Sequence, residues 1–381
     1  MDERKPLIID NGTYWIKAGF SNDEAPRTVF RSVIGFPKYQ FPRGQFTDSV
    51  IGDEAWAKSS ILLIKYPMDY GIIKNWEFME KIWEFTFKNE LHVDPIDHPV
   101  LLSEVPPPSS DDFTSSQLFE YHQKIAEIMF ETFNIPSLYI ANKAYLSLLS
   151  IGRTSGLSCD FGYGSLDIVP FIDGKVISPA IKRINITGND LTSWLIKLFM
   201  KIGFNFVSPS EKDLVCDIKE KKTYVAFDYE NELQKCEKDS NSVNINYKLP
   251  NDEIMIFGKE RFQCPELLFK PQLNNINEDG VHKVIYDCIM KCENNFQKNL
   301  FSNIVLTGGT SMFEGLDKRL GKEVSILAPS TMKVEVIAPS KRNFATWLGG
   351  SILANMDSFP QMVITHDEYN EKGSNIIRTK L

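Results

Sequence analysis

Leu7-Ile8-Ile9-Asp10-Asn11-Gly12-Thr13 and, about one domain length further on, Leu157-Ser158-Cys159-Asp160-Phe161-Gly162-Tyr163-Gly164 are two versions of one turn. Each is a short apolar strand that ends in an aspartate and a glycine and then resumes as a second strand, Ile16 to Phe20 in the first case and Leu166 to Phe171 in the second. Glycine suits a backbone that must turn tightly or approach a ligand closely. Two such hairpins facing each other would aim N–H groups at a phosphate chain from both sides, while Asp10 and Asp160 hold a divalent metal through water. A third element, Asn303-Ile304-Val305-Leu306-Thr307 running into Gly308-Gly309-Thr310, is a strand that breaks into glycines before a helix, the usual surroundings of a nucleotide. One such turn alone is commonplace; three in this order read as a nucleotide site.

The chain has 381 residues, 43% hydrophobic and 24% charged, which is long enough for two domains and globular in composition. Its net charge of −8 and the lack of a Lys/Arg cluster argue against nucleic acid as a partner. No apolar run reaches the roughly 18 residues of a membrane span, and Met1-Asp2-Glu3-Arg4-Lys5 lacks the apolar stretch of a signal peptide. The expectation is therefore a cytosolic or nuclear protein with no membrane partner. Of the six cysteines only Cys288 and Cys292 are close together, without a second Cys/His pair at zinc spacing, so free thiols are expected. Helices are predicted after Asn75-Trp76, with Met79, Ile82, Trp83 and Phe87 as core, from Gln117 to Phe133, and from the capping sequence Ser208-Pro209-Ser210-Glu211. Pro106 to Asp112 is a loop by composition.

Longer stretches carry a resemblance. Lys17-Ala18-Gly19-Phe20, Lys65-Tyr66-Pro67, Met79-Glu80-Lys81-Ile82-Trp83, His98-Pro99-Val100-Leu101-Leu102, Asp217-Ile218-Lys219-Glu220-Lys221, Ala328-Pro329-Ser330-Thr331-Met332-Lys333 and Trp347-Leu348-Gly349-Gly350-Ser351-Ile352-Leu353-Ala354 are collinear with actins, and the chain resembles the actin family almost end to end. That resemblance implies an α/β fold of two domains, each a mixed sheet flanked by helices, around a cleft for ATP or ADP with Mg²⁺. The small domain is expected at 1–150 plus 345–381, with its subdomain 2 at about 32–66. The large domain is expected at 151–344, with subdomain 4 at about 187–276. Transferred onto this sequence, the nucleotide residues are Asp10, Gly12, Thr13, Tyr14, Lys17, Asp160, Gly162, Gly164, Gly188, Lys219, Glu220, Gly308, Gly309, Thr310, Met312 and Phe313.

The departures matter more. Tyr14 stands where actins have a glycine against the phosphates, and its ring is expected to crowd them. Lys143 and Asp167 replace the glutamine and histidine that position the attacking water, so no catalytic residue can be assigned with those two in place. A lysine has three donors and no acceptor, and its charge opposes the Mg²⁺ expected at Asp10 and Asp160. Folded inward, it would gather Asp10, Asp160 and Asp167 into an internal ion-pair cluster. Cys216 and Asn343 replace basic residues on the adenine side.

The expected filament contacts also differ. The loop Tyr39 to Phe46 is shortened and contains Pro42, and the plug loop has become Leu273-Asn274-Asn275-Ile276. The segment from Pro106 to Glu120 is lengthened, with Phe113, Leu118, Phe119 and Tyr121 as apolar anchors; it reads either as a private docking site or as a tolerated insertion. The resemblance also implies a groove that takes a partner's helix, lined here by Leu149, Ile151, Lys175, Leu353 and Met356. The whole reads as a divergent actin-related protein, a structural subunit of a cytoskeletal or other multiprotein assembly in the cytoplasm or nucleus. ATP hydrolysis is expected to be lost or very slow, and nucleotide binding weak or absent. Partners would be other proteins, actin or actin-related subunits among them. The alternative is a slowly hydrolysing, ATP-binding protein that still forms filaments.

Overall fold

The computed structural model describes residues 5–38, 49–105 and 115–380. Each hairpin founds one of two sheets of the same design. In the first, Leu7–Asn11 runs antiparallel to Trp15–Phe20 and parallel to Val100–Glu104; Thr28–Arg31 extends one side, Ser137–Asn142 and Ile364–Thr365 the other. In the second, Gly156–Phe161 runs antiparallel to Leu166–Ile172 and parallel to Ile304–Thr307, with Val336–Ile337 beyond it. Lys175–Val176 and Lys182–Ile184 both pair with Leu166–Ile172. The unbroken apolar runs Leu7-Ile8-Ile9, Val100-Leu101-Leu102 and Ile304-Val305-Leu306 are fully buried, as central strands covered on both faces require. Three small sheets among the described residues lie outside this plan: Ile34–Pro37 with Val50–Ile51 and Leu62–Lys65, Met68–Asp69 with Ile72–Ile73, and Ile245–Lys248 with Ile254–Phe257.

The halves meet on one helix, Lys143–Leu149. Leu146 and Leu149 join Ile8, Leu101 and Trp347 against the first sheet, while Ala144 and Leu148 join Val169, Phe171 and Val305 against the second. A second helix, Ala345–Ala354, crosses it at backbone contact, because a Cβ on Gly349 would run into the carbonyl oxygen of Leu146. Asn142 caps the first helix by accepting a hydrogen bond from the Ala144 N–H at 2.9 Å. Lys143, the first residue after that cap, is thereby fixed at the junction, facing the cleft.

The predicted helices form with small changes. Trp76–Phe85 is capped by the Asn75 side chain and buries Met79, Ile82 and Trp83. The expected Gln117–Phe133 helix starts at Ser115 and loosens into a π-turn over Ile128–Thr132. At Pro209–Lys222 the capping box closes as the sequence indicates, the Ser208 N–H donating to Glu211 Oε2 at 2.8 Å and the Glu211 N–H to Ser208 Oγ at 3.3 Å.

The expected partner surfaces change more. Phe113, the loop Tyr39 to Phe46 and the segment 106–114 lie outside the described residues. Phe119 is not a free anchor. It packs against the core of the small half with the Arg378 guanidinium 4.2 Å from its ring centre, and the Tyr121 hydroxyl accepts from the Ile73 N–H. Leu118 is half-buried. Leu149 and Leu353 are core residues of the helix crossing and Ile151 is half-buried, so of the expected groove only Lys175 and Met356 are exposed. Leu273 ends in a single turn, Pro271–Asn274, and Ile276 packs onto the large half.

Candidate functional site

The two hairpin turns solve one geometric problem in the same way. The Gly12 N–H donates to the Trp15 carbonyl at 3.1 Å and the Gly162 N–H to the Ser165 carbonyl at 2.8 Å. In each case a Cβ on the glycine would strike that same carbonyl oxygen. The turns also touch, since a Cβ on Gly164 would lie 2.7 Å from the Thr13 side chain. The Thr13 hydroxyl accepts from the Gly71 N–H at 3.1 Å.

Behind this contact lies a cavity of 310 Å³, lined by Asp10, Gly12, Thr13, Tyr14, Lys17, Lys143, Asp160, Gly162, Gly164, Lys219, Glu220, Gly308, Gly309, Thr310, Met312 and Phe313. The structure thus gathers all the expected nucleotide residues but one. Gly188 stands outside the lining, where its carbonyl accepts from the Lys219 ammonium at 2.8 Å. The volume is within the range of small-molecule sites. Gly308 has a φ of +84°, and a side chain there would collide with Asp160 and the Phe161 carbonyl. At Gly309 a Cβ would meet nothing within 4 Å, which leaves open space over that backbone.

Strand register sets the charges. Asp10 faces Lys17 across the first hairpin, and their side chains pair at 3.0 Å. The equivalent position in the second hairpin opposes Asp160 with Asp167, two like charges that would repel if left alone. The neighbouring strand supplies the remedy: Arg183 lies opposite Asp167, Nε to Oδ1 at 2.6 Å. Lys143 brings its Nζ to 3.3 Å from Asp10 Oδ1 and 2.5 Å from the Asn11 carbonyl oxygen. Ser103 completes the shell, donating to Asp10 Oδ1 at 2.7 Å and accepting from the Asn11 N–H. The expected four-membered cluster is therefore corrected. Lys143 bonds Asp10, whereas Asp167 is held by Arg183 and stands outside the cavity lining. Burial would raise the Asp10 carboxyl, but Lys143 and Lys17 outweigh it and hold the group well below the usual carboxylate range. Burial, partly offset by Lys143 and reinforced by Asp167 and Asp10, pushes Asp160 up to about 6.

Tyr14 lines the cavity and is held in place by partners on both sides. Its ring stacks on Tyr163 with centres 4.2 Å apart and planes at 24°, and its hydroxyl donates to Asp213 at 2.8 Å. The Arg31 Nη2 reaches both oxygens of the same Asp213 at 2.7 Å. The guanidinium also lies 4.9 Å over Trp56. Tyr163 donates onward to Asn189 at 2.9 Å. Burial pushes both phenols upward, so they remain neutral donors. Tyr14, in the turn of the first hairpin, and Arg31, on a strand of the first sheet, face Tyr163 and Asp213 of the opposite half, so these contacts form a latch across the cleft. The sequence reading missed Arg31, Arg183, Asp213 and Ser103. For Arg183 and Asp213 no local pattern marks the pairing, but the seven-residue spacing of Asp10 from Lys17 and of Asp160 from Asp167 shows that the hairpins place each pair face to face.

The residues fit a nucleotide and not its metal. Paired glycine turns, Lys17 and the Lys219, Met312 and Phe313 wall make a pocket for a phosphorylated nucleoside. A divalent ion shared by Asp10 and Asp160 would have to lie beside an ammonium already bonded to Asp10. At an effective dielectric constant of 20, each pair of unit charges about 4 Å apart repels by ~4 kcal/mol, and a divalent ion doubles that. Nor can Lys143 accept a hydrogen bond from an attacking water.

Searched against protein families, the sequence matches the model described as Actin over residues 1–381. The α/β architecture of mixed sheets flanked by helices is that of the actin-like ATPase fold, whose members generally bind ATP or ADP with Mg²⁺. Twin hairpin turns, a glycine-rich third strand end and a match along residues 1–381 lead to one conclusion: the chain belongs to the actin family.

Proposed function

We propose that this protein is a non-hydrolysing structural subunit of a multiprotein assembly, joined to partner proteins by contacts that a single copy makes. One observation carries the reading: the Lys143 ammonium, bonded to Asp10 and the Asn11 carbonyl, stands where water and metal chemistry would need an acceptor and a free carboxylate. Phosphoryl transfer draws most of its rate from positioning and charge stabilisation, and loss of the water-holding groups costs at least on the order of 10²-fold. The altered surfaces support the assembly half of the reading. A filament needs the same two patches satisfied at every step, and a loss of ~1.4 kcal/mol per contact lowers each association constant tenfold. A hetero-partner escapes that constraint, and actin or actin-related subunits are the natural candidates by shape. The cytoplasm and its cytoskeleton are the compartment this role implies, with the nucleus as alternative.

One sample tests both halves. Pure protein with Mg²⁺ and ATP in polymerising salt is expected to remain in the supernatant on sedimentation, with phosphate release near the protein-free background. Long homopolymers in the pellet, or turnover comparable to a conventional actin in the same assay, would contradict the reading.

A further inference from the structure

The cavity between the two hairpins carries its own cation. Asp10 has three partners, Lys17 at 3.0 Å, Lys143 at 3.3 Å and the Ser103 hydroxyl at 2.7 Å. Of the two hairpin aspartates on the cavity wall it is therefore the one held by ion pairs to groups of the chain itself. The third acid of the region, Asp167, is held by Arg183. Counted as formal charges, Asp10 and Asp160 balance Lys17 and Lys143, so the wall is neutral before any ion arrives. At Gly309 the space over the backbone is open, since a Cβ there would meet nothing within 4 Å. The helix that carries Lys143 cannot swing the ammonium away cheaply. It is wedged between the two sheets and capped by Asn142, and Lys143 itself is only 7% exposed.

We infer that the cleft binds a nucleoside di- or triphosphate without a divalent cation, the Lys143 ammonium standing in the place that the metal takes in the family. The inference rests on reading the cleft as a nucleotide pocket that no longer hydrolyses. The ligand's charge is then met by Lys17 and Lys143, and by turn N–H groups other than those of Gly12 and Gly162, which close their own hairpins. Added Mg²⁺ would compete with Lys143 for Asp10 instead of assisting the phosphates.

The test is calorimetric titration of the full chain with ADP and with ATP, in excess Mg²⁺ and in excess EDTA. The expected dissociation constants agree within about threefold between the two conditions. Mn²⁺ added to the nucleotide-loaded protein is expected to show the magnetic-resonance spectrum of the ion that free nucleotide alone gives. A loss of tenfold or more in affinity on adding EDTA, or a protein-bound Mn²⁺ spectrum, overturns the inference; both are readable on the unmutated protein. Lys143→Gln should introduce metal dependence of about tenfold or more, and Lys143→Met, which lacks the amide as well, should do the same. Variants that fold, by their melting curves, yet bind equally well with and without Mg²⁺ would remove Lys143 from its assigned role. Absence of binding under both conditions overturns this inference while leaving the non-hydrolysing subunit standing; rapid phosphate release would instead overturn the reading beneath it.

Discussion

Replacing Arg319 by Met should destabilise the large half by about 3–5 kcal/mol at pH 8, because it strands a fully buried carboxylate. Arg319 grips Glu266 with two nitrogens, at 3.1 and 3.2 Å, and uses the rest of its fork on the Ala226 carbonyl at 2.8 Å and Glu323 at 2.7 Å. Glu266 has no exposed surface, and its guanidinium partner also lies 4.8 Å over Phe269. Burial, opposed by Arg319, already pushes Glu266 up to about 7. Removing the arginine removes the opposing influence and raises the group further. A carboxyl with a raised folded-state pKa binds its proton more tightly folded than unfolded. Its favourable contribution is therefore present at low pH and fades as pH rises through the folded value. The penalty of the substitution should accordingly be largest above pH 7 and shrink towards pH 5. Urea unfolding of both proteins at the two pH values measures this, and a variant within about 1 kcal/mol of the parent at pH 8 would contradict it.

Cutting the latch should open the cleft. Asp213 accepts from Tyr14 and from Arg31 at once, and hydrogen bonds to a charged group are worth about 1.5–3 kcal/mol each. Asp213→Ala leaves the Tyr14–Tyr163 stack as the main direct tie between the cleft walls there. Amide hydrogen exchange at residues 12–15 and 162–165 should then accelerate by about 10- to 100-fold, whereas exchange in the buried strands Leu7–Asn11 and Ile304–Thr307 should not change. Equal rates in parent and variant would contradict this and show that the contacts left in the variant, the Tyr14–Tyr163 stack among them, hold the cleft closed without Asp213.

Much of this architecture is legible in local pattern. The hairpins, the glycine-broken third strand and the capped helix at Ser208 are decided by residues within a few positions of one another, where turn geometry and capping leave few alternatives. What is not legible depends on which strands become neighbours. Asp167 reads as part of an ion-pair cluster around Lys143 until the sheet brings Arg183 to it. Tyr14 shows no partner in the local sequence; Asp213, far away along the chain, offers its hydroxyl an acceptor, and Tyr163 stacks on its ring. Leu149 and Leu353 are placed in a groove by the resemblance to actins. Their burial follows from a helix crossing that Gly349 permits, and a glycine within a helix does not announce its partner. Phe119 is likewise partly covered from a distant part of the chain, since Arg378 reaches it from the other end.

Lys143 is the residue on which the account turns, and the metal content of the protein addresses it most directly. Native mass spectrometry and elemental analysis of protein purified in Mg²⁺-containing buffer, then desalted, count the ions bound per chain. The account predicts no stoichiometric Mg²⁺, and a melting temperature that a chelator leaves unchanged. One tightly held Mg²⁺ per chain, stripped by chelator with a large fall in melting temperature, would contradict it.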